Sequence, residues 1–535
     1  MATPVLAAIA AVALVAAQLA EPIDAAAITK IRAEGLQRSR AMDTVFWLTD
    51  RYGPRLTGSP EFEEAGDWAI ARLREWGVSN VHKERFSTGP GWSLKAFHAT
   101  MTAPRVMPII GMPKAWSAPT RGAVTADVVR VAISTPADAA RYRGQLRGRI
   151  VLAQSARPVR MLQYGDGNVV RYDDEDGRWR KEAMTPNGVT PIDDDASGAV
   201  TATGRGAAAF DVMEFYRNEG VVAVFDRGAT SDLNAAGSDL SWAQQRLDGG
   251  TVVLQDRAAP GGVPQVTLAV EHYNRMVRLI EHGVRVTVEL AVSAEFTDAA
   301  RQNSFNIVGE IPGTDKADEV VLLGAHFDSW HAGTGATDNA SGVSAMMEAL
   351  RIIKAAGLSP RRTIRIGLWG AEEGGTWNGA DVGLIGSRTY ALEHLGTRAA
   401  PKPEFSKTSV YFNLDNGTGR IRGVWTQGNS AAQQVFEAWA APLRDLGVDL
   451  ISPRRVGQTD HVPFDLLGLP AFQFVQERYE YNARTHHTNM DVYDRMQPED
   501  MAQISTVAAV FAWQAATRDQ LLPRIPRPSS DGRGR

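Results

Sequence analysis

The chain has 535 residues, of which 44% are hydrophobic and 22% charged, and a formal net charge of −4 at pH 7. This is the composition of a globular protein with more than one domain, and the small acidic balance gives no reason to expect a nucleic-acid partner. Because the chain has no cysteine, disulfide bonds and thiolate metal ligands are excluded. Any metal ion must be bound by histidine, aspartate and glutamate.

The first segment, residues 1–20, is apolar and rich in alanine, and "EPID" follows it. Such a stretch, ending in small residues, is typical of a signal peptide, although no basic residue precedes it. We therefore expect export to the periplasm or the medium, with an uncleaved anchor as the alternative. No later stretch is apolar enough to span a bilayer, so no membrane span is expected after cleavage.

Two segments of different texture follow. Residues 21–122 begin with helical periodicity, pass through the turn-rich stretch "YGPRLTGSPEF" and enter a second predicted helix that stops at Gly77. Residues 123–292 consist mainly of short β-like runs and predict a separate β-rich module inserted into the chain. Within this module, the polar and Gly-rich stretch 169–198 is predicted to be a long surface excursion.

Strands and helices alternate over residues 293–520. This alternation predicts an α/β domain with a mixed, mostly parallel central sheet that is flanked by helices. The final stretch, 521–535, is rich in proline, arginine and serine, and is predicted to be disordered.

Residues of the kind that bind metal ions stand at the ends of three predicted strands and on two loops of this α/β domain. They are His326 and Asp328, Glu372 and Glu373, and Asp415 after the strands, with Asp338, His486 and His487 on the loops. Each alone has an ordinary explanation, such as a helix cap for Asp338 or a solvated acidic pair at Glu372 and Glu373. Ligands of open α/β sheets bind beyond the carboxyl ends of the strands. The gathering of all these residues there predicts a metal site.

The motifs "GAHFDSW", "GTGATDNASG", "LWGAEEGG", "NLDN" and "HHTNMD" resemble those of the M28 family of zinc aminopeptidases and carboxypeptidases. The spelling of the first two motifs, "GAHFDSW" and "GTGATDNASG", is similar to that of the subgroup that contains plasma glutamate carboxypeptidase. Residues 21–122 resemble the N-terminal part of the family's peptidase domain, and 123–292 resemble a protease-associated domain, a common insertion in this family. The resemblance implies a zinc-exopeptidase fold whose catalytic domain covers 293–520.

The resemblance also implies two Zn²⁺ ions per chain, bridged by Asp338 and a water or hydroxide. His326 and Asp415 would complete one site, and Glu373 and His487 the other. Two metal ions about 3.5–4 Å apart need an anion between them to offset their charge. Three protein ligands for each ion leave the open position that a catalytic site requires.

Two further carboxylates are given supporting roles by the same resemblance. Asp328 would accept a hydrogen bond from the ring N–H of His326 and orient that ligand. Residues two apart in a strand face the same way, so strand alternation also predicts that the Asp328 side chain points to the same side as His326. Glu372 would be the general base that takes a proton from the bridging water and passes it to the leaving amine. Chemistry alone leaves an exchange of Glu372 and Glu373 open, and the family's order selects Glu372.

The downstream histidine loop departs from the family's pattern. His487 fits the family spelling His-Thr-x-x-Asp, whereas His486 stands where relatives often have a tyrosine. Tyr481 lies a few residues upstream, and the sequence leaves open which of His486 and Tyr481 stabilises the oxyanion. Asp460 and His461 resemble a family stretch that lines or supports the pocket.

Taken with the resemblance, the residues predict an exported di-zinc exopeptidase that releases N-terminal residues from short peptides or dipeptides. One alternative is a carboxypeptidase that acts on a C-terminal residue. A second is a non-catalytic, receptor-like ectodomain on the same fold, and a third is a single-zinc acyl-transferring cyclase. Side-chain preference, the role of the insert and the oligomeric state, including a homodimer, are left open.

Overall fold

A computed structural model describes residues 21–157, 184, 210–227, 261–297, 302–377, 380–477 and 479–525. The predicted signal peptide, the predicted surface excursion apart from Met184, and residues 526–535 of the predicted tail lie outside this description. Within it, every helix is too short or too polar to cross a membrane.

The strands alternate with helices in the second half of the chain. The strands are β1 (Ser79–Phe86), β2 (Trp92–Ala103), β3 (Met107–Pro108), β4 (Gly111–Pro113), β5 (Val124–Arg130), β6 (Ile150–Leu152), β7 (Ala223–Asp226), β8 (Gln265–Leu268), β9 (Thr287–Phe296), β10 (Ser304–Ile311), β11 (Lys316–His326), β12 (Arg362–Trp369), β13 (Gly375–Trp377), β14 (Ala380–Val382), β15 (Thr408–Asn413), β16 (Ile421–Trp425), β17 (Leu450–Ser452) and β18 (Ala471–Gln476). The α-helices are α1 (Ala25–Gln37), α2 (Ala41–Phe46), α3 (Pro60–Glu75), α4 (Pro136–Ala140), α5 (Val212–Glu219), α6 (Val270–Glu281), α7 (Ser341–Ala355), α8 (Ile385–Tyr390), α9 (Pro403–Lys407), α10 (Ser430–Ala440), α11 (His461–Leu467) and α12 (Pro498–Thr517). Short helical turns at Trp47–Arg51, Ala336–Ala340, Ala391–Leu395, Ala441–Leu446, Tyr481–Thr485 and Tyr493–Arg495 complete the described helical structure.

The main sheet has eight strands in the order β1–β10–β12–β11–β15–β18–β16–β17. Its middle strands β12, β11, β15 and β18 run parallel to one another, and antiparallel pairings occur at β1–β10, β10–β12 and β16–β18. The predicted mixed, mostly parallel sheet flanked by helices is therefore confirmed. Its parallel centre places the carboxyl ends of β12, β11 and β15 side by side.

Both faces of the main sheet are covered, as the apolar sequence of β11 requires. Val321 and Leu323 pack into the larger core, which also contains the buried residues of α7 and α12. Leu322, which points the other way, belongs to a smaller core with Trp369 of β12 and Phe464 of α11. The central strands are thus held between two helical layers, and the residues that follow them are fixed in position.

The second large sheet has the order β3–β2–β9–β5–β6–β7–β8–β4. It begins at Trp92, earlier than the boundary at residue 123 that the sequence texture suggested. The reason is long-range pairing, because β2 runs antiparallel to β9 from Trp92 opposite Phe296 to Ala103 opposite Thr287. Residues 92–113 therefore share a sheet with the β-rich module.

The start of the C-terminal tail is ordered against the main fold, which differs from the predicted disorder of 521–535. Leu522 is only 2% exposed, and its backbone N–H donates to Ser409 Oγ over 3.1 Å. The Arg524 guanidinium donates to the carbonyls of Phe405 and Thr408. An apolar residue and a carbonyl-bound arginine hold residues 521–525 against the main sheet.

Candidate metal centre

Three of the predicted ligand positions follow adjacent parallel strands. His326 is the last residue of β11, lies opposite Trp369 of β12, and is 1% exposed. Glu373 follows β12, and Asp415 stands two residues beyond the end of β15. The parallel arrangement therefore delivers an imidazole and two carboxylates to one edge of the sheet.

Asp338 reaches the same place on the helical turn Ala336–Ala340, just before α7. Its backbone has the non-helical angles φ −132° and ψ 83°, and the peptide bond to Asn339 is cis. The capping contact near the start of α7 is made by its neighbour, because Asn339 Oδ1 accepts from the backbone N–H of Gly342 over 2.9 Å. The helix-cap explanation does not apply to Asp338, whose carboxylate points to the histidines.

The two oxygens of Asp338 face two different groups of side chains. In the first ligand group, His326 Nε2 lies 3.2 Å from Asp338 Oδ1 and 3.3 Å from Asp415 Oδ1. In the second ligand group, His487 Nε2 lies 3.2 Å from Asp338 Oδ2 and 3.0 Å from Glu373 Oε2. Ligand-type atoms of His326, Asp338 and Glu373 fall within 4.8 Å of one another. One carboxylate thus stands between two imidazole–carboxylate pairs.

The chemistry of this cluster fits a pair of divalent cations. In the described part of the chain, the charged partners of Asp338, Glu373 and Asp415 are all histidines. Two buried oxygens, Asp338 Oδ2 and Glu373 Oε1, have no hydrogen bond of good geometry among the described residues. Several carboxylates gathered in a buried site are costly unless cations compensate them. Imidazole and carboxylate are ligands that zinc accepts.

The protonation of the two groups follows from their mutual contacts. Burial opposes the charge on Asp338, but its close contacts with His326 and His487 outweigh burial and hold the pKa of Asp338 well below its usual value. Burial likewise disfavours charge on His326, yet Asp415 and Glu372 raise the pKa of His326 well above its usual value. For His487, the charge of Glu373 overcomes burial and raises the pKa in the same way. A metal ion would replace these imidazole protons, because only neutral histidine is a ligand.

Glu372 differs from Glu373 although the two are adjacent. It is partly exposed and forms no ion pair with any described residue. Burial, with the nearby charges of Asp415, Asp460 and Glu373, outweighs the opposing charge of His326 and raises the pKa of Glu372 well above the usual value. A carboxylate beside the ligand groups, but paired with neither histidine, is available to exchange a proton.

Asp328 does not orient His326 in the way that strand alternation suggested. The His326 ring Nδ1 lies 3.0 Å from the backbone carbonyl of Asp328 and 3.9 Å from its Oδ1. The Asp328 carboxylate instead accepts the backbone N–H groups of Glu372, at 3.1 Å, and Glu373, at 3.3 Å. The prediction was wrong about this contact because β11 ends at His326, so the alternation of a strand does not extend to Asp328.

The histidine loop places His487 nearer to the carboxylates than His486. His486 Nε2 lies 3.9 Å from Asp338 Oδ2, and its ring stacks on His487 with 3.8 Å between centroids. Tyr481, 6% exposed, packs against His486 with its ring centroid 4.7 Å away. The three aromatic rings therefore contact one another in a row, with Tyr481 tilted by 53° to His486, and the His487 end of the row meets Asp338 and Glu373.

Asp460 and His461 lie in the interior and are absent from the lining of the pocket beside the ligand groups. Asp460 accepts the Ser387 hydroxyl at 2.5 Å, and burial raises its pKa to about 8. The His461 ring Nε2 lies 3.0 Å from the Val456 carbonyl, and burial lowers its pKa to about 4. Both residues are therefore buried and hydrogen-bonded to groups outside the two ligand groups.

Three supporting residues, Asp491, Arg55 and Thr57, did not emerge as site residues from the sequence alone. Asp491 accepts the backbone N–H groups of Thr337, at 2.6 Å, and Asp338, at 3.1 Å, and so joins the histidine loop to the Asp338 turn. Arg55 and Thr57 lie in the stretch "YGPRLTG" and contact the loop after His326. The available signal was the resemblance of this stretch to the family's N-terminal segment, which carries no spatial information.

Apolar side chains from the second sheet also reach this loop. Leu56, Trp92, Ala115, Trp116 and Trp330 form one buried cluster. Trp92 begins β2 and Ala115 follows β4, whereas Trp330 belongs to the loop after His326. Trp330 lines the pocket beside the ligand groups and lies 6.1 Å from the ring of His487. The second sheet thus supports one wall of the candidate site.

Comparison with known proteins finds similarity to peptidases. The protein-family model described as Peptidase family M28 matches residues 306–512. Carboxypeptidase Q of Rattus norvegicus is 27% identical over 504 residues, covering 94% of this chain and 90% of that protein. The crystal structure of a peptidase M28 precursor from Shewanella amazonensis has a TM-score of 0.63 at 27% identity, covering 94% of this chain and 98% of that one.

The fold is also shared with BSAP, a zinc aminopeptidase from Bacillus subtilis, at a TM-score of 0.53 and 20% identity, covering 90% of this chain and 95% of that one. The ligand-type side chains at the strand ends lie within the matched residues 306–512. The chain is therefore similar to peptidase family M28 over residues 306–512, and to a carboxypeptidase and a solved M28 peptidase precursor along almost its whole length.

Proposed function

We propose that this protein is an exported di-zinc exopeptidase that removes N-terminal residues from short peptides or dipeptides. The observation that carries the proposal is the position of Asp338, with one oxygen facing His326 and the other facing His487. A carboxylate shared in this way suits two ions that need an anion between them. The shared fold with BSAP, itself a zinc aminopeptidase, supports the choice of metal.

In this proposal each ligand group holds one ion. His326 and Asp415 hold the first, Glu373 and His487 hold the second, and Asp338 is shared. Bound zinc would supply Lewis acidity toward the scissile carbonyl and lower the pKa of a bound water to about 7. The described residues meet the requirement for imidazole and carboxylate ligands without thiolates.

The protein's own residues supply proton transfer and orientation. Glu372, free of a histidine partner, takes a proton from the attacking water and returns it to the leaving amine. The Asp328 carboxylate fixes the backbone of Glu372 and Glu373 through the two N–H contacts. His486 or Tyr481, whose rings contact each other beside the second ligand group, would donate to the oxyanion.

The charge of the pocket favours a free substrate amine over a free substrate carboxylate. Its described lining carries the acidic residues Asp338, Glu373 and Asp491 and includes neither lysine nor arginine. Because Asp338 and Glu373 would bind the ions, Asp491 is the carboxylate of this lining left to hold an ammonium group, and a C-terminal carboxylate would find no lysine or arginine among the described lining residues. We therefore place the substrate's N-terminus in this pocket.

Removal of metal tests the metallopeptidase proposal directly. We expect dialysis against a strong chelator to abolish peptide hydrolysis, and addition of two equivalents of zinc to restore it. Magnesium, which prefers oxygen ligands in octahedral geometry, is the matched control and should restore little. Unchanged hydrolysis in the presence of chelator would refute a role for metal.

Blocked substrates test which terminus is recognised. We expect N-acetylation of a short peptide to lower kcat/KM by about 10- to 100-fold, since a hydrogen bond to a charged group contributes about 1.5–3 kcal/mol. Amidation of the C-terminus should change it little. The opposite pattern would identify a carboxypeptidase, and a zinc-loaded protein inactive on the whole set would favour a receptor-like ectodomain.

A further inference from the structure

We propose that Arg55 and Thr57, in the N-terminal segment, are positioning residues that hold the metal-binding loop and the Glu372–Glu373 backbone in place. Both residues lie outside the range 306–512 that matches the family description. The inference rests on the proposed zinc-dependent function and adds two residues that set the geometry of the same site.

Arg55 joins the two ends of the loop between His326 and Asp338. Its side chain is fully buried, and all its hydrogen bonds go to backbone carbonyls. Nε donates to Phe327 O over 2.9 Å at the start of this loop. Near the end of the loop, Nη1 donates to Thr334 O over 3.1 Å and Nη2 donates to Gly335 O over 3.1 Å. Nη1 also donates to Leu48 O over 2.6 Å, outside the loop. One planar guanidinium therefore spans the stretch that separates the two candidate ligands.

The charge of Arg55 is unusual for so buried a site. Burial lowers its pKa to about 10, so it stays protonated at neutral pH. It forms no ion pair with any described residue, although the nearby carboxylates Asp491, Asp328 and Asp338 favour its charge. A buried cation without a contacting carboxylate is costly. The hydrogen bonds from Arg55 to the loop carbonyls offset this cost. The loop conformation therefore stabilises the buried guanidinium, and the guanidinium stabilises the loop conformation.

The loop has little room to adopt another course. The backbone N–H of Arg55 donates to Ser329 Oγ over 3.1 Å, and the Ser329 N–H donates back to the Arg55 carbonyl over 3.0 Å. Gly335 has a positive φ of 66°, and a Cβ there would lie 2.3 Å from the Ser329 Cβ. The N-terminal segment and the loop are thus fitted closely, and a change at Arg55 would shift the spacing of His326 and Asp338.

Thr57, two residues after Arg55, contacts the part of the site that contains Asp328, Glu372 and Glu373. It is 2% exposed, and its hydroxyl donates to Asp328 Oδ2 over 2.8 Å. Asp328 in turn accepts the backbone N–H groups of Glu372 and Glu373. The contacts therefore run from Thr57 through Asp328 to the proposed base and to one proposed ligand.

Arg55→Lys tests the first contact, with Arg362→Lys as the matched control. Lysine keeps the positive charge, but one ammonium cannot reach carbonyls at both ends of the loop. Arg362 is equally buried and also donates to backbone carbonyls, those of Ala515, Arg518 and Asp519, and to Glu319. It begins β12, at the end of the sheet away from the site.

We expect both variants to lower Tm, and only Arg55→Lys to weaken zinc binding, by about 10- to 100-fold in chelator competition. Equal zinc affinity in wild type and Arg55→Lys would overturn the role of Arg55. A similar loss of affinity in Arg362→Lys would show that general destabilisation is the cause, and would overturn it as well.

Thr57→Val and Thr57→Ser test the second contact, and they decide the proposal if Arg55→Lys does not fold. Valine has the same shape without the hydroxyl, and serine keeps the hydroxyl. We expect Thr57→Val to lower kcat about 10-fold with KM nearly unchanged, and Thr57→Ser to recover most of the loss. Full activity in Thr57→Val, or no recovery in Thr57→Ser, would overturn it.

The wild-type measurement separates the two levels of failure. A wild-type protein that binds no zinc refutes the proposed function. A wild-type protein that binds zinc, alongside variants that bind and turn over equally well, refutes only the positioning roles of Arg55 and Thr57.

Discussion

The variant Glu372→Gln is expected to lose about 10²- to 10⁴-fold in kcat, the usual contribution of a positioned general base. Glutamine has nearly the same shape as glutamate but cannot take a proton from water. Glu372 forms no ion pair with the histidines of either ligand group. We therefore expect the variant to bind the same amount of zinc as the wild type, measured as metal content per chain.

Glu373→Gln is the matched control, because it makes the same chemical change one residue away. Glu373 Oε2 lies 3.0 Å from His487 Nε2 in the second ligand group. Loss of this carboxylate should therefore reduce zinc content as well as turnover. If Glu372→Gln loses metal and Glu373→Gln keeps it, the two roles are exchanged. If Glu372→Gln is fully active, Glu372 is not the base.

Asp338→Asn is expected to remove both metal ions and to lower activity by more than about 100-fold, beyond the usual loss for an outer partner of a metal ligand. The reason is that Asp338 alone contributes an oxygen to each ligand group. An amide has one poor oxygen ligand and carries no charge, so it cannot offset two dications. Zinc content should fall from two ions per chain toward none.

Asp415→Asn is the control that distinguishes the loss of a ligand to one ion from the loss of Asp338, the proposed ligand to both ions. Asp415 contacts His326 alone in the first ligand group. Its loss should weaken one ion and leave the other, so that about half of the zinc remains. Equal zinc loss in Asp415→Asn and Asp338→Asn would contradict the bridging role. Retention of both ions in Asp338→Asn would contradict it more directly.

Much of the candidate site could be predicted from sequence because it depends on local pattern. His326 ends an apolar run, and Glu373 and Asp415 follow other apolar runs. Parallel strands bring such positions together at one edge regardless of the rest of the fold. Asp338 could be placed because it stands just before a predicted helix, α7, which is buried from Ser341 to Ile353.

Other contacts were beyond reach because they join distant parts of the chain. Arg55 Nε and the Phe327 carbonyl are 272 residues apart in sequence, and no periodicity links them. The start of the second sheet was missed for the same reason, since β2 is recognised as its member only through pairing with β9. The contact of Asp328 was misjudged because strand alternation does not apply once β11 has ended at His326.

The buried cluster of Leu56, Trp92, Ala115, Trp116 and Trp330 has a practical consequence. Its members come from four separate stretches of chain, and Leu56 lies between the two proposed positioning residues. A protein trimmed of its β-rich module would expose the remaining members of this cluster to water and would remove packing from residues 55–57, which contact the loop after His326. Deletion of the module should therefore yield an aggregation-prone chain that binds metal poorly, rather than a smaller active enzyme.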